Sequence, residues 1–197
     1  MVLDIAKRLK TILDGYQYDV KMTRADDTFI PLEQRTELAS GFVADLFISI
    51  HANASTTSRA SGLEVYALKQ LDWQEQKDPQ RIKNHDILFS KLAMQRHDKA
   101  VENIVTDMLY SYKSSESFTL AQAISEEVGQ ETRARDRGVY KAGFFVLRNT
   151  LMPAVLIEVG FLSNPREERQ LNSNQYREKI AEGISQSLRK YITRLGY

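Results

Sequence analysis

Two polar residues stand where apolar runs end. Leu46-Phe47-Ile48-Ser49-Ile50 reads as a buried strand and leads straight into His51, followed by the small, polar stretch Ala52-Asn53-Ala54-Ser55. Ala154-Val155-Leu156-Ile157 leads in the same way into Glu158, ahead of Val159-Gly160-Phe161. A carboxylate inside an apolar run costs several kcal/mol unless it is paired, metal-bound or protonated. In open α/β sheets, functional groups gather at the carboxyl ends of strands, and both residues are placed there. A neutral imidazole is a common zinc ligand. A glutamate beside a metal-bound water acts as general base and then passes the proton to a leaving amine. The pair therefore suggests hydrolysis of an amide. Two plainer readings stay open: a structural or solvated His51, and a Glu158 at a sheet edge or ion-paired with Arg133, Arg135 or Arg137.

The elements that must position these residues alternate between helix and strand. Val2, Ile5, Leu9, Ile12 and Leu13 recur at helical spacing, and Asp14-Gly15 stops the run. Tyr18 to Met22 reads as a short strand, and Pro31 opens a helix that reaches about Ser40-Gly41. Leu46–Ile50 and Leu63–Leu68 are strands. Ser117 caps a helix ending near Gly129, an Arg-rich loop follows, and Phe144 to Leu147 reads as a strand. After the Glu158 strand, Asn164-Pro165 is a cap and first-turn pair. A last helix opens at Asn174 or Gln175 and carries Ile180, Ile184, Leu188 and Ile192 on its apolar side. This alternation predicts an α/β layered domain. Residues 69–116 differ: a polar stretch precedes a helical pattern from Ile87 to Tyr112, with acidic and basic residues in balance. They read as a helical insertion in a single domain spanning 1–197.

The totals narrow the class of function. The 197 residues suffice for one domain with a sizeable core. Lys and Arg number 27 against 26 Asp and Glu, without the basic surplus that a nucleic-acid binder needs to neutralise phosphates. There is no cysteine, which removes disulfides and thiolate chemistry. No apolar run approaches the length of a membrane span, and the first residues show no signal-peptide pattern.

The wording of four segments is more specific than their physics. TRADDTFIPLEQRTELAS, ADLFISIHANAS, GLEVYAL and FFVLRNTLMPAVLIEVGFLSN, in this order and spacing, resemble the zinc-dependent N-acetylmuramoyl-L-alanine amidases of cell-wall turnover and cell separation. The resemblance covers 1–68 and 117–197. It implies a mixed central sheet with helices on both faces. It also implies Zn2+ as cofactor, peptidoglycan as substrate, and cleavage of the bond between N-acetylmuramic acid and L-alanine. His51 of S-I-H-A-N would be a zinc ligand and Glu158 of E-V-G-F the catalytic acid/base. By the same resemblance the protein works in the periplasm or otherwise outside the cytoplasmic membrane.

The chain also departs from the family pattern. The family's other two ligands, a His in a D-P-G-H-G-G segment and a Glu just before the first long helix, have no counterpart here. His85 and His97 match no family ligand. The helical pattern is already running at Met1, so the expectation is that the first strand and both ligands lie ahead of it. Without that strand the sheet is expected to show an open edge. The insertion at 69–116 sits where some family members carry a helix that covers the site until a divisome activator moves it. An acidic residue there, Asp72, Glu75 or Glu102, would then occupy the open zinc position; the plainer reading is a surface decoration. The competing function is a non-catalytic amidase-like module that binds peptidoglycan or a divisome protein without cutting. Of the remaining residues, Arg24 and Arg35 read as ion-pair ties between helix and strand, and Trp73 and Tyr112 as insertion core.

Overall fold

The computed structural model describes residues 1–69 and 99–196. The chain runs α1 (Val2–Gly15), α2 (Leu32–Gly41), β1 (Phe47–Asn53), β2 (Leu63–Leu68), α3 (Lys99–Thr132), β3 (Asp136–Ala142), α4 (Phe145–Arg148), β4 (Ala154–Phe161), α5 (Pro165–Asn172) and α6 (Asn174–Arg194). The strands form one mixed sheet in the order β1-β4-β2-β3. β1 is parallel to β4, β2 is antiparallel to β4, and β3 is parallel to β2.

Period-two alternation divides the sheet residues between two cores. Val155, Ile157 and Val159 of β4 and Val65 and Ala67 of β2 face the larger one, built from Ile5 and Leu9 of α1, Leu120 and Ile124 of α3, and Ile180 and Ile184 of α6. Ala154 and Leu156 of β4, Phe47 of β1 and Leu68 of β2 face a smaller one, with Ala39 of α2 and Val146 and Leu147 of α4. Burial on both faces explains why β4 reads as a continuous apolar run. Helices cover both faces, as the α/β expectation required. The smaller core covers its face only in part. His51, Glu158 and Glu64 belong to that face, beyond the end of the core.

Several sequence expectations hold locally. Asn164 accepts from the backbone N–H groups of Arg166 and Glu167, and Pro165 opens α5. Ile180, Ile184 and Leu188 of α6 are buried. Others are corrected. Tyr18–Met22 is not a strand: a strand needs a ladder partner, and among the described residues β1, across the groove from it, pairs only with β4. Between this segment and the open edge of β1 runs a groove of about 430 Å³, lined by Val20, Ile48, Ile50 and Leu9 among others.

Ser117 does not cap a helix but lies inside α3. Its hydroxyl donates to the Lys113 carbonyl (2.6 Å) and accepts from the Ala154 N–H (2.9 Å), which pins the helix to the start of β4. Phe144–Leu147 is not a strand: Phe144 caps the short helix Phe145–Arg148. The strand comes earlier, at Asp136–Ala142, inside the segment read as an Arg-rich loop. Its pairing with β2 overrode the weak local signal. Residues 70–98, most of the expected insertion together with Trp73, His85 and His97, lie outside the described residues. The last part of that insertion continues without a break into α3. Tyr112 is 55% exposed, not core.

Gly160 closes β4 with φ +146°. A Cβ there would come within 3.2 Å of the Glu167 carboxylate. That carboxylate accepts from the backbone N–H groups of Gly62 and Phe161, both at 2.7 Å, and so ties β2 to the end of β4. Gly160→Ala is expected to destabilise the fold by about 1 to 3 kcal/mol, measured as a lower urea midpoint with an unchanged slope.

Candidate active site

Register brings the site together. His51 of β1 lies opposite Glu158 of β4, and Glu158 lies opposite Glu64 of β2. The three form a row across adjacent strands on one face, roughly 4.8 Å apart at the backbone. His51 therefore lies inside its strand, not after it, because β1 runs on to Asn53.

His51 Nε2 lies 3.0 Å from the Ser49 hydroxyl. Burial lowers the histidine's pKa, and the nearby positive charge of Arg35 lowers it further. Both effects favour the neutral imidazole, the form that can bind a metal. Arg35 itself donates from Nε to the Ile30 carbonyl (2.8 Å), and Arg24 pairs with Asp27 at 3.3 Å within one turn. Neither makes the helix-to-strand ion pair expected of it.

Glu158 is different. Its Oε2 is buried and has no hydrogen-bond partner. Burial, and then the negative charge of Glu64, raise its pKa to about 7. Arg137 does not neutralise it, because that guanidinium is committed to Glu64, with Nε donating to Oε1 at 2.6 Å. Among the described residues no arginine of 133–137 pairs with Glu158, so the ion-pair reading fails, and Arg137 satisfies the neighbouring carboxylate instead. Glu64 is 5% exposed and also accepts from Tyr66 Oη (2.9 Å) and Asn53 Nδ2 (3.2 Å). Glu64, Arg137 and Tyr66 were not singled out as site residues from sequence. The signal was present for Glu64, since a lone carboxylate in Leu63-Glu64-Val65-Tyr66-Ala67-Leu68 is as costly as the one in β4.

A buried carboxyl with a pKa near neutrality and a free oxygen can take a proton from a nucleophile and return it to a leaving group. The donor set for zinc is less complete. His51 offers one nitrogen, and among the described residues no three His, Cys, Asp or Glu side chains stand close enough to hold a metal ion. A catalytic zinc takes three protein ligands, so these residues alone do not fit one. The candidate lid acids Asp72 and Glu75 lie outside the described residues. Glu102 falls in α3, but its side chain is not among those described.

The family model for N-acetylmuramoyl-L-alanine amidases of the Amidase_3 type matches residues 1–190. The chain belongs to this family. The amidase AmiA of Escherichia coli (strain K12) is 34% identical over 195 residues, 98% of this chain and 67% of AmiA. The amidase AmiC of Escherichia coli O6:H1 is 33% identical over 195 residues, 98% of this chain and 46% of AmiC. This amidase-family chain thus spans about two thirds of one relative and under half of the other. Among solved structures, the catalytic domain of the amidase CwlV from Bacillus (Paenibacillus) polymyxa superposes with a TM-score of 0.72 at 29% identity, covering 97% of this chain and 82% of that one. The mixed sheet flanked by helices is therefore the amidase fold.

Proposed function

We propose that the protein is a hydrolase that cleaves the amide bond between N-acetylmuramic acid and the L-alanine of the peptidoglycan stem peptide. The observation that carries this reading is the free, buried Oε2 of Glu158, held in one row with His51 in a chain of the amidase family. Water adds to the amide carbonyl carbon, and Glu158 takes its proton. Glu158 then gives that proton to the nitrogen as the carbon–nitrogen bond breaks. The products are a carboxylic acid on the sugar side and a free α-amino group on alanine. Burial keeps Glu158 protonatable near neutrality, and the charge of Glu64, clamped by Arg137, Tyr66 and Asn53, adds to the effect. Zn2+ remains part of the proposal as cofactor. When bound it would polarise the carbonyl and make water more acidic, and His51 would supply one ligand. The donor set above gives no further step to derive through it.

The substrate places the protein outside the cytoplasmic membrane; no helix of the described residues is long and apolar enough to cross a membrane. Regulation of the site by the insertion, with a divisome activator as partner, is likewise a proposal. Its support is the stripe Ile104, Met108 and Tyr112 on α3, in the last part of that insertion, which is 60%, 66% and 55% exposed. The alternative is a binding module that does not cut. The pH dependence of turnover on purified peptidoglycan separates the two. Glu158 must be ionised to accept the proton, so kcat/KM is expected to rise with pH through an apparent pKa near 7. Saturable binding to peptidoglycan with no turnover at any pH would favour the binding module.

A further inference from the structure

Beside the carboxylate row, the same face of the sheet carries three aromatic rings in mutual contact. Tyr66 stacks on Tyr140 of β3, with centroids 5.4 Å apart and planes at 29°. It meets Phe144 edge-on at 5.1 Å. Tyr140 is 39% exposed and Phe144 42% exposed. Neither ring belongs to either core, whereas Tyr66 packs against the smaller one. Tyr66 follows Glu64 by two residues and pairs with Tyr140 across β2 and β3, so strand rise and spacing put its Cα about 8 Å and that of Tyr140 about 12 Å from Glu158. That is the reach of one or two pyranose rings.

The chemistry of this shelf is uncharged. The Tyr66 hydroxyl donates to Glu64 and the Tyr140 hydroxyl to the Arg137 carbonyl at 2.9 Å. Arg137 is already engaged with Glu64 and the Phe161 ring, and Lys141 lies over the Phe118 ring at 4.7 Å, on the side of the larger core. At the other end of the row the positive charge of Arg35 acts on His51. A carboxylate-bearing peptide is attracted to that side. A neutral sugar, with apolar C–H faces and hydroxyl edges, matches flat aromatic surface.

We propose that Tyr140 and Phe144, supported from behind by Tyr66, form a saccharide-binding shelf that seats the glycan side of the substrate next to Glu158. The proposal rests on the amidase reading for its substrate but concerns binding alone. Its test is therefore a binding experiment. An N-acetylglucosamine tetrasaccharide is titrated into the full chain by calorimetry, with Tyr140→Ala, Tyr140→Phe and Phe144→Ala in parallel and their folding checked by circular dichroism. Saturable binding is expected. It should weaken roughly tenfold in each alanine variant, the scale of one lost aromatic contact, and stay within about twofold in Tyr140→Phe, where the ring remains.

No binding by the parent chain would overturn the shelf, as would equal affinity in folded Tyr140→Ala and Phe144→Ala proteins. If the tetrasaccharide binds as expected but no peptide is released from peptidoglycan, the amidase reading fails and the shelf stands. Peptide release without tetrasaccharide binding sinks the shelf alone.

Discussion

Replacing Glu158 by Gln is expected to lower turnover on peptidoglycan by roughly 10² to 10⁴, the contribution of a positioned general acid and base. Binding of peptidoglycan should be nearly unchanged, because Gln keeps the shape and loses only the transferable proton. The same substitution has a distinct signature in stability. Glu158 has a folded-state pKa of about 7, above its ordinary value of 4.5. The folded protein therefore holds its proton more tightly than the unfolded chain between these values. Stability falls as pH rises from about 4.5 to 7 and is level above, where both states are ionised. The loss is about 1 to 2 kcal/mol, less than the full shift implies, because a half-exposed carboxyl is screened by solvent. Urea unfolding at pH 5 and pH 8 should show this drop in the parent protein and its absence in Glu158→Gln. An unchanged drop in the variant would mean that another group carries the titration.

Removing Arg137 should have the largest effect on stability. Glu64 is 5% exposed, and its ion partner is Arg137. Arg137→Ala leaves that carboxylate buried without its counter-charge, at an expected cost of about 3 kcal/mol. Glu64→Gln alone should cost less, since Tyr66 and Asn53 can still donate to the amide oxygen. The double substitution should recover much of the loss, because the charge that needed Arg137 is gone. Strict additivity of the two single losses would show that the residues are not coupled. With Arg137 gone, the uncompensated charge of Glu64 pushes the Glu158 pKa further up, so the acid limb of the pH–rate profile should move to higher pH.

These two results probe residues of unequal legibility. His51 and Glu158 were visible from sequence because each interrupts an apolar run whose purpose is otherwise burial. Their meeting was implied by two parallel strand ends, but the register that sets them opposite one another is a property of the sheet. Glu64 carries the same signal in a shorter strand, but β2 contributes its carboxylate from an antiparallel neighbour at its amino end, where strand-end reasoning does not look. Arg137 reads from sequence only as a loop residue that could pair with Glu158, whereas its partner is Glu64. No local pattern announces Asp136–Ala142 as a strand, and its identity comes from pairing with β2. Tyr18–Met22 fails in the opposite sense: it has strand-like residues but lies across a groove from the open edge of β1. The helices were easier. Amphipathic spacing and the Asn164-Pro165 cap are local properties, and α1, α5 and α6 appear where these signals put them.

The zinc proposal has its own test. Elemental analysis of the chain after gel filtration, with His51→Ala beside it, should give metal that is lost with the imidazole. Metal content equal in the two proteins would remove His51 from the ligand set.

The central claim is that Glu158 drives cleavage of one particular amide. The most direct measurement is the identity of the bond cut. Intact peptidoglycan sacculi are incubated with the chain, and with Glu158→Gln, and the released material is analysed by mass spectrometry and amino-terminal labelling. The account predicts peptides with a free amino-terminal alanine, glycan strands bearing unsubstituted muramic acid carboxyls, and neither product from Glu158→Gln. Release of peptides with any other terminus, or equal release by the Gln variant, would contradict it.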